Sequence, residues 1–263
     1  GQTIMRKTKT LKRLTPIAGT IEVRGILGSS VANLGARIVG GEWPIGAVIA
    51  KEADLVTELA VSRSVIREAC RILSAKGLIR SRTSDGTRVQ PRSEWRLLDP
   101  DVMDWRLQAG DREGLLRDLL KFRLVLEPGI AYSATVMAND DARQKIDAAW
   151  HAKKAVLEDT TVNEHDRRAA FIEADLAFHQ AFVSAVSSEL LDQVFPVISS
   201  ALELLFEKQV QTLGHTNRMT GMDGSHKLYE RLYHAFIDRD ASAAQTAMRD
   251  LVKHAINDAE RRS

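Results

Sequence analysis

The chain has very little cysteine: Cys70 is the only one in 263 residues. No intrachain disulfide can form, which fits a reducing cytoplasm. Cys70 falls on the apolar side of a helical pattern, where a small buried side chain is the simplest reading. No apolar run approaches the roughly 20 residues that a membrane-spanning helix needs. The N-terminal stretch is basic but has no apolar core and no cleavage site, so a secretory signal is not expected. Internal repeats and low-complexity tracts are missing as well. So are the His-Glu-x-x-His pair, the nucleophile elbow and the phosphate-binding loop, which removes the usual sequence supports for an enzyme.

Net charge is low too, only +2, but it is unevenly placed. Residues 1–93 hold 16 Lys and Arg against 7 Asp and Glu, while residues 94–263 hold 21 against 28. A basic third joined to an acidic remainder suggests a polyanion-binding domain attached to something else. With 44% hydrophobic and 27% charged residues, the composition is that of an ordinary soluble protein, long enough for one large or two ordinary domains.

The segment from Asp54 to Leu73 reads as two short helices broken at Ala60-Val61-Ser62. Leu55 and Leu59 line one face of the first, and Val65, Ile66, Ala69, Ile72 and Leu73 line one face of the second. Ser62 can cap the second helix. Ser62, Arg63, Ser64 and Arg67 then project from its N-terminal end, away from the apolar face, which suits a DNA major groove. A preceding helix is expected near 21–40, from Ile26, Leu27, Val31, Leu34, Ile38 and Val39. After Lys76-Gly77, residues 78–82 and 87–90 alternate like strands around the turn Thr83-Ser84-Asp85-Gly86. Three helices and a hairpin make a winged helix. Its tip carries Gly86 and Thr87 between Arg82 and Arg88, charge enough to reach phosphates or a minor groove.

Residues 1–20 form a basic tail expected to be flexible, and Pro91 to Pro100 a linker. From Asp101 onward the periodicity is helical throughout. Breaks fall near Gly110, Asn139-Asp140, Thr160-Thr161, Ser187-Ser188, Gly214 to Gly224 and Asp238 to Asp240. The fold class is therefore mainly α: an N-terminal winged helix-turn-helix followed by an antiparallel bundle of six or seven helices. The expected domains are the 1–20 tail, a 21–91 DNA-binding domain, a 92–105 linker and a 106–263 helical domain for effector binding and dimerisation.

Two polar pairs interrupt apolar stripes of the bundle. Asp175 and His179 lie one turn apart on the stripe of Ile172, Leu176, Phe182 (or Val183) and Val186 in a helix spanning 164–187. Facing a core they need partners, either each other or a metal ion, to which Asp-x3-His offers two ligands. Arg123 and Glu127 interrupt the stripe of Leu116, Leu120, Ile130 and Ala134. An inward Arg can anchor a carboxylate ligand through its two-pronged fork. The alternative is an exposed i, i+4 pair. Tyr229 and Tyr233 share a face with His226 and could offer hydroxyls to a polyol acid, or simply pack. Trp95 and Trp105 bracket the linker and are expected to pack the winged domain against the bundle.

The residues Gly46, Glu52, Leu55, Leu59, Ala60 to Arg63, Val65, Arg67 to Ala69, Leu73, Lys76 to Ile79, Gly86, Thr87 and Val89 resemble the winged-helix domain of GntR-family transcription regulators. Arg123, Glu127-Pro128, Asp175, His179, Ala235 to Asp240, Ala244 and Met248 resemble the effector (FCD) domain of the family's FadR-like branch. Leu97 to Val102 with Trp105 are similar to its sugar-acid-responsive, galactonate-type members. The resemblance implies a divalent metal, zinc or similar, held by Asp175, His179 and two further His. Those two positions fall here at Tyr229 and Leu251. His226 and His254 lie three residues away, about one turn or ~4.5 Å. They could substitute, or the metal is lost and Tyr229 serves an effector. Two departures touch the DNA-binding part: Ala53 where many relatives have Arg, and Ser84 where many have Gly.

Together these point to a transcription regulator, most often a repressor in this family. A homodimer would bind palindromic double-stranded DNA under the control of a small carboxylate. The rivals are a metal-dependent enzyme with an accessory DNA-binding domain, and an architectural DNA-binding protein without a ligand.

Overall fold

The computed structural model describes residues 23–212 and 222–261. The basic tail lies outside the described residues, as does most of the predicted break at 214–224. The chain divides into two compact units, Gly1–Leu115 and Leu116–Ser263.

The first unit contains α1 (Gly25–Val39), α2 (Glu52–Leu59), α3 (Arg63–Ala75), β1 (Ile79–Arg82), β2 (Gly86–Val89), a 3-10 turn (Arg92–Glu94) and α4 (Pro100–Gln108). Ser62 caps α3 as its position predicts, its side chain accepting the Val65 N–H at 3.2 Å. Ala60 takes left-handed backbone angles (φ 53°) and ends α2, so the two helices meet through a tight turn. Leu34, Ile38, Leu55, Ile66, Ala69, Leu73 and Leu78 have at most 1% exposure and form the core. β1 and β2 pair antiparallel from Ile79–Val89 to Arg82–Gly86. Gly77 ends the helical segment with φ +77°, and a Cβ there would lie 2.0 Å from the Glu94 carbonyl oxygen. Only glycine fits both conditions.

The segment read as a linker is ordered and folds back on this unit. Lys76 Nζ reaches Asp99 at 2.7 Å and Asp101 at 2.9 Å, and the Trp95 indole donates to the Gln90 carbonyl at 2.9 Å. A Cβ on Gly35 would lie 2.6 Å from the Trp105 ring, so α1 and α4 pack closely at that point. Trp95 and Trp105 thus belong to the core of the first unit.

The division between the units falls inside α5 (Arg112–Met137). It is followed by α6 (Asp140–Glu158), α7 (Glu164–Ala185), α8 (Glu189–Thr212), α9 (Met222–Ile237) and α10 (Ala241–Arg261). Polar caps stand at the predicted breaks: Asn139 accepts from Ala142 N–H, Asn163 from Asp166, Ser188 from Leu191 and Asp240 from Ala243. α6 packs on α7, α9 on α10, and α8 on both α7 and α10. Phe178, Phe182, Phe236, Ile146, Leu232 and Val252 are fully enclosed. The buried face of α7 carries Phe171, Asp175, Phe178, His179, Phe182 and Val183. The predicted stripe is rotated slightly, since Ile172 and Leu176 are only partly buried.

A candidate DNA-reading face and a buried polar cluster

In the first unit, Ser62, Arg63, Ser64 and Arg67 are exposed at the N-terminal end of α3. Arg63 and Arg82 are exposed and make no ion pair among the described residues, so both guanidinium groups remain available. Arg67 is steadied by Glu52, with Nε 3.1 Å from its carboxylate. Arg88 is more firmly tied. It makes two 3.0 Å bonds to Asp85 and donates to the Gly46 carbonyl at 2.9 Å, so it braces the wing from behind. Thr87 shares its hydroxyl with Ser81 at 2.8 Å. Gly86 lies at the wing tip with φ +76°.

The second unit brings five predicted residues into one buried cluster. Arg123 Nε donates to Glu127 Oε2 at 2.6 Å. The other oxygen of Glu127 is 2.5 Å from His179 Nδ1, and His179 Nε2 is 2.8 Å from the Tyr229 hydroxyl. Asp175, 3.9 Å from His179 Nε2, is the fifth member. The i, i+4 pair of Arg123 and Glu127 is formed, but it is 1–2% exposed rather than solvated. Burial alone would raise the Glu127 carboxyl, yet the Arg123 charge and His179 overcome it and hold the group at about 2. Glu127 is therefore ionised and can only accept, which puts a hydrogen on His179 Nδ1. Burial and the Asp175 charge push the Tyr229 phenol well above its ordinary range. Its hydroxyl keeps its proton, with His179 Nε2 and Asp175 as the acceptors in reach.

Beside this cluster is a cavity of about 50 Å³ lined by Arg123, Asp175, Gln209, Ser225, Tyr229, His254 and Asp258 together with apolar side chains of α7, α8 and α10. Arg123 Nη1 is buried there without a hydrogen-bond partner. An unsatisfied buried donor costs on the order of 1–3 kcal/mol, more when charged. A hydrogen-bond acceptor that reached Nη1 would relieve that cost.

Asp175 has a partner that the sequence reading missed. Lys153 on α6 is completely enclosed, and its Nζ lies 2.6 Å from Asp175 Oδ1. Burial works against the Asp175 carboxylate, but Lys153 and then His179 outweigh it and lower its pKa; burial likewise lowers that of Lys153. A signal was present, because Ile146, Trp150 and Lys153 share the inward stripe of α6, at i, i+4 and i+7. The doublet Lys153-Lys154 reads as solvated until that period is followed.

Two predicted residues are placed elsewhere. Tyr233 stacks on Trp150 at 5.1 Å and donates its hydroxyl to Asp147, with burial and Asp147 pushing the phenol to about 12. It does not join the cluster, and its stack on Trp150 is the packing alternative that the sequence left open. His226 lies flat on Trp150, centroids 5.2 Å apart, a stacking position rather than a ligand position beside Asp175. His254 does border the cavity. The metal set of Asp175, His179, His226 and His254 is thus not assembled, and among the described residues no group of three His, Cys, Asp or Glu could hold a metal ion. Asp175 meets an ammonium, and both ring nitrogens of His179 are engaged. These donors do not fit a metal centre.

Comparison with known proteins matches residues 118–254 to the FCD domain and residues 30–89 to the bacterial regulatory proteins of the gntR family. The galactonate operon transcriptional repressor of Escherichia coli is 34% identical over 217 residues, covering 82% of this chain and 89% of the relative. LutR of Bacillus subtilis, an HTH-type transcriptional regulator, is 26% identical over 80% of this chain and 90% of its own. The solved structure of Lar, which controls the expression of the Listeria monocytogenes agr system, covers 92% of this chain and 99% of that chain. Its TM-score is 0.53 at 15% identity, a likeness of fold. With this span of similarity, and a winged helix followed by a helical bundle, the chain belongs to the GntR family of bacterial regulatory proteins and carries an FCD domain.

Proposed function

We propose that the chain is a ligand-responsive transcription regulator, a repressor in its usual state, whose operator affinity is set by a small carboxylate bound beside Arg123. The buried and uncommitted Nη1 of Arg123, a residue that lines the cavity, is the observation that carries this reading. Glu127 holds one side of the guanidinium, which leaves Nη1 to meet a carboxylate oxygen. Tyr229, Ser225, Gln209 and His254 line the same cavity and suit the hydroxyls of a sugar acid. The similarity to a galactonate operon repressor supports that class.

The cavity's ~50 Å³ is far below the roughly 300–1,000 Å³ of ordinary ligand pockets. A sugar acid must therefore displace Leu202, Leu205, Phe206 or Leu251 as it enters, so binding and a rearrangement of α8 and α10 are one event. Such a ligand favours the expanded conformation by its differential affinity.

On this reading residues 21–91 bind DNA through Ser62, Arg63, Ser64 and Arg67 in a major groove, with Arg82 and the Gly86–Thr87 tip at the backbone. The 106–263 domain binds effector and pairs two chains, so that a dimer meets a palindrome. The protein works in the cytoplasm and catalyses nothing; no described helix is long and apolar enough to cross a membrane.

The test is reciprocity. An operator is selected from random duplexes, and galactonate affinity is measured by calorimetry with and without it. Galactonate should bind more weakly to the complex by the same factor by which it weakens operator binding. Equal affinity in both states would refute the coupling, and turnover of the acid would favour an enzyme.

A further inference from the structure

We propose that Lys153 is the resident cation of the bundle, its ammonium taking the place of a metal ion, so that this regulator folds and binds its ligand without metal. Lys153 has no exposed surface, its Nζ sits 2.6 Å from Asp175 Oδ1 and 3.0 Å above the centre of the Tyr229 ring, and Phe171 faces it at 4.8 Å. A carboxylate and two aromatic faces are the surroundings that suit a desolvated cation.

The second step is charge. Within the cluster two cations, Arg123 and Lys153, face two carboxylates, Glu127 and Asp175. A divalent ion would add two uncompensated positive charges to a water-excluded interior. Burying unpaired charge there is strongly unfavourable.

The third step is that the coordinating atoms are spent. Asp175 Oδ1 is used by Lys153, His179 Nδ1 donates to Glu127, and Nε2 meets the Tyr229 hydroxyl. Tyr229 and Leu251, which stand where the family resemblance expects His, both line the cavity with Asp175. These positions do converge on the centre, but they carry a phenol and an alkyl group. Two ligands expected from the family resemblance are thus absent, and Lys153 supplies the positive charge that Asp175 meets.

The inference borrows the ligand-site reading only for its functional meaning, and its test needs no effector. The full chain is dialysed against Zn²⁺ and then against buffer. Bound metal is counted by mass spectrometry, and thermal unfolding is followed with Zn²⁺ and with EDTA. The expected result is no stoichiometric zinc and the same melting curve in both. One zinc per chain with a raised melting temperature would overturn the proposal. A pair of variants tests the role of Lys153 itself. Tyr229→His/Leu251→His should remain metal-free while Lys153 is present, and adding Lys153→Met should bring uptake of one zinc per chain. Equal uptake by the double and triple variants would show that Lys153 does not exclude the ion. If neither variant folds, the wild-type measurement still decides the proposal.

Discussion

Replacing Glu127 with Gln should destabilise the second unit by an amount that depends on pH in a defined way. Glu127 is 2% exposed and its carboxyl is drawn from an ordinary 4.5 to about 2. At about 1.4 kcal/mol per pH unit, that difference is on the order of 3 kcal/mol of stability. The folded-state pKa is depressed, so the contribution is complete above about 4.5 and is lost as pH falls through about 2. Gln has the shape of protonated Glu but cannot ionise. The variant therefore represents wild type after that proton has bound, with Arg123 left unpaired in both. Thermal melts followed by circular dichroism at pH 7 should differ by roughly 10 °C, taking about 3 °C for each kcal/mol. The gap should narrow as pH approaches 2, since Asp175 and the other groups titrate alike in the two proteins. A gap that stays constant with pH, or no gap at pH 7, would refute the ionised Arg123–Glu127–His179 chain.

Arg63→Ala should weaken operator binding by about 1–3 kcal/mol and relax specificity at one base pair, read by competition among single-base operator variants; Arg88→Ala, whose side chain braces the wing, should affect all sequences alike. Tyr233→Phe should leave galactonate affinity unchanged in calorimetry, because its hydroxyl serves Asp147. Gly77→Ala should lower the melting temperature of the first unit, since a Cβ would stand 2.0 Å from the Glu94 oxygen at φ +77°. An unchanged melt would show that this close approach is not required.

The sequence made the winged helix legible almost residue by residue, because its signals are local. Ser62 caps, Gly77 stops, and the periodicity switches from helical to alternating within a short span. The breaks between the long helices were legible for the same reason, each falling at a capping residue such as Asn139 or Asn163. The composition of the cluster was legible only in part. Arg123, Glu127, Asp175 and His179 betray themselves as polar interruptions of apolar stripes. Which of them meet depends on how α5, α6, α7 and α9 pack, and that is not a local property. Lys153 shows this most clearly: its stripe was readable, but its partner lies on α7. Tyr233 shows the reverse, since it shares the helix face of Tyr229 in sequence yet turns its hydroxyl to Asp147 on α6.

The central claim is that a carboxylate read by Arg123 controls the hold on DNA. The most direct measurement is release of a fluorescent operator by galactonate, comparing wild type with Arg123→Met/Glu127→Gln. That variant removes the buried pair without leaving a lone charge, so the fold and the DNA affinity should survive. Galactonate should release the operator from wild type and no longer do so from the variant. Release of both proteins at the same concentration of galactonate would contradict it.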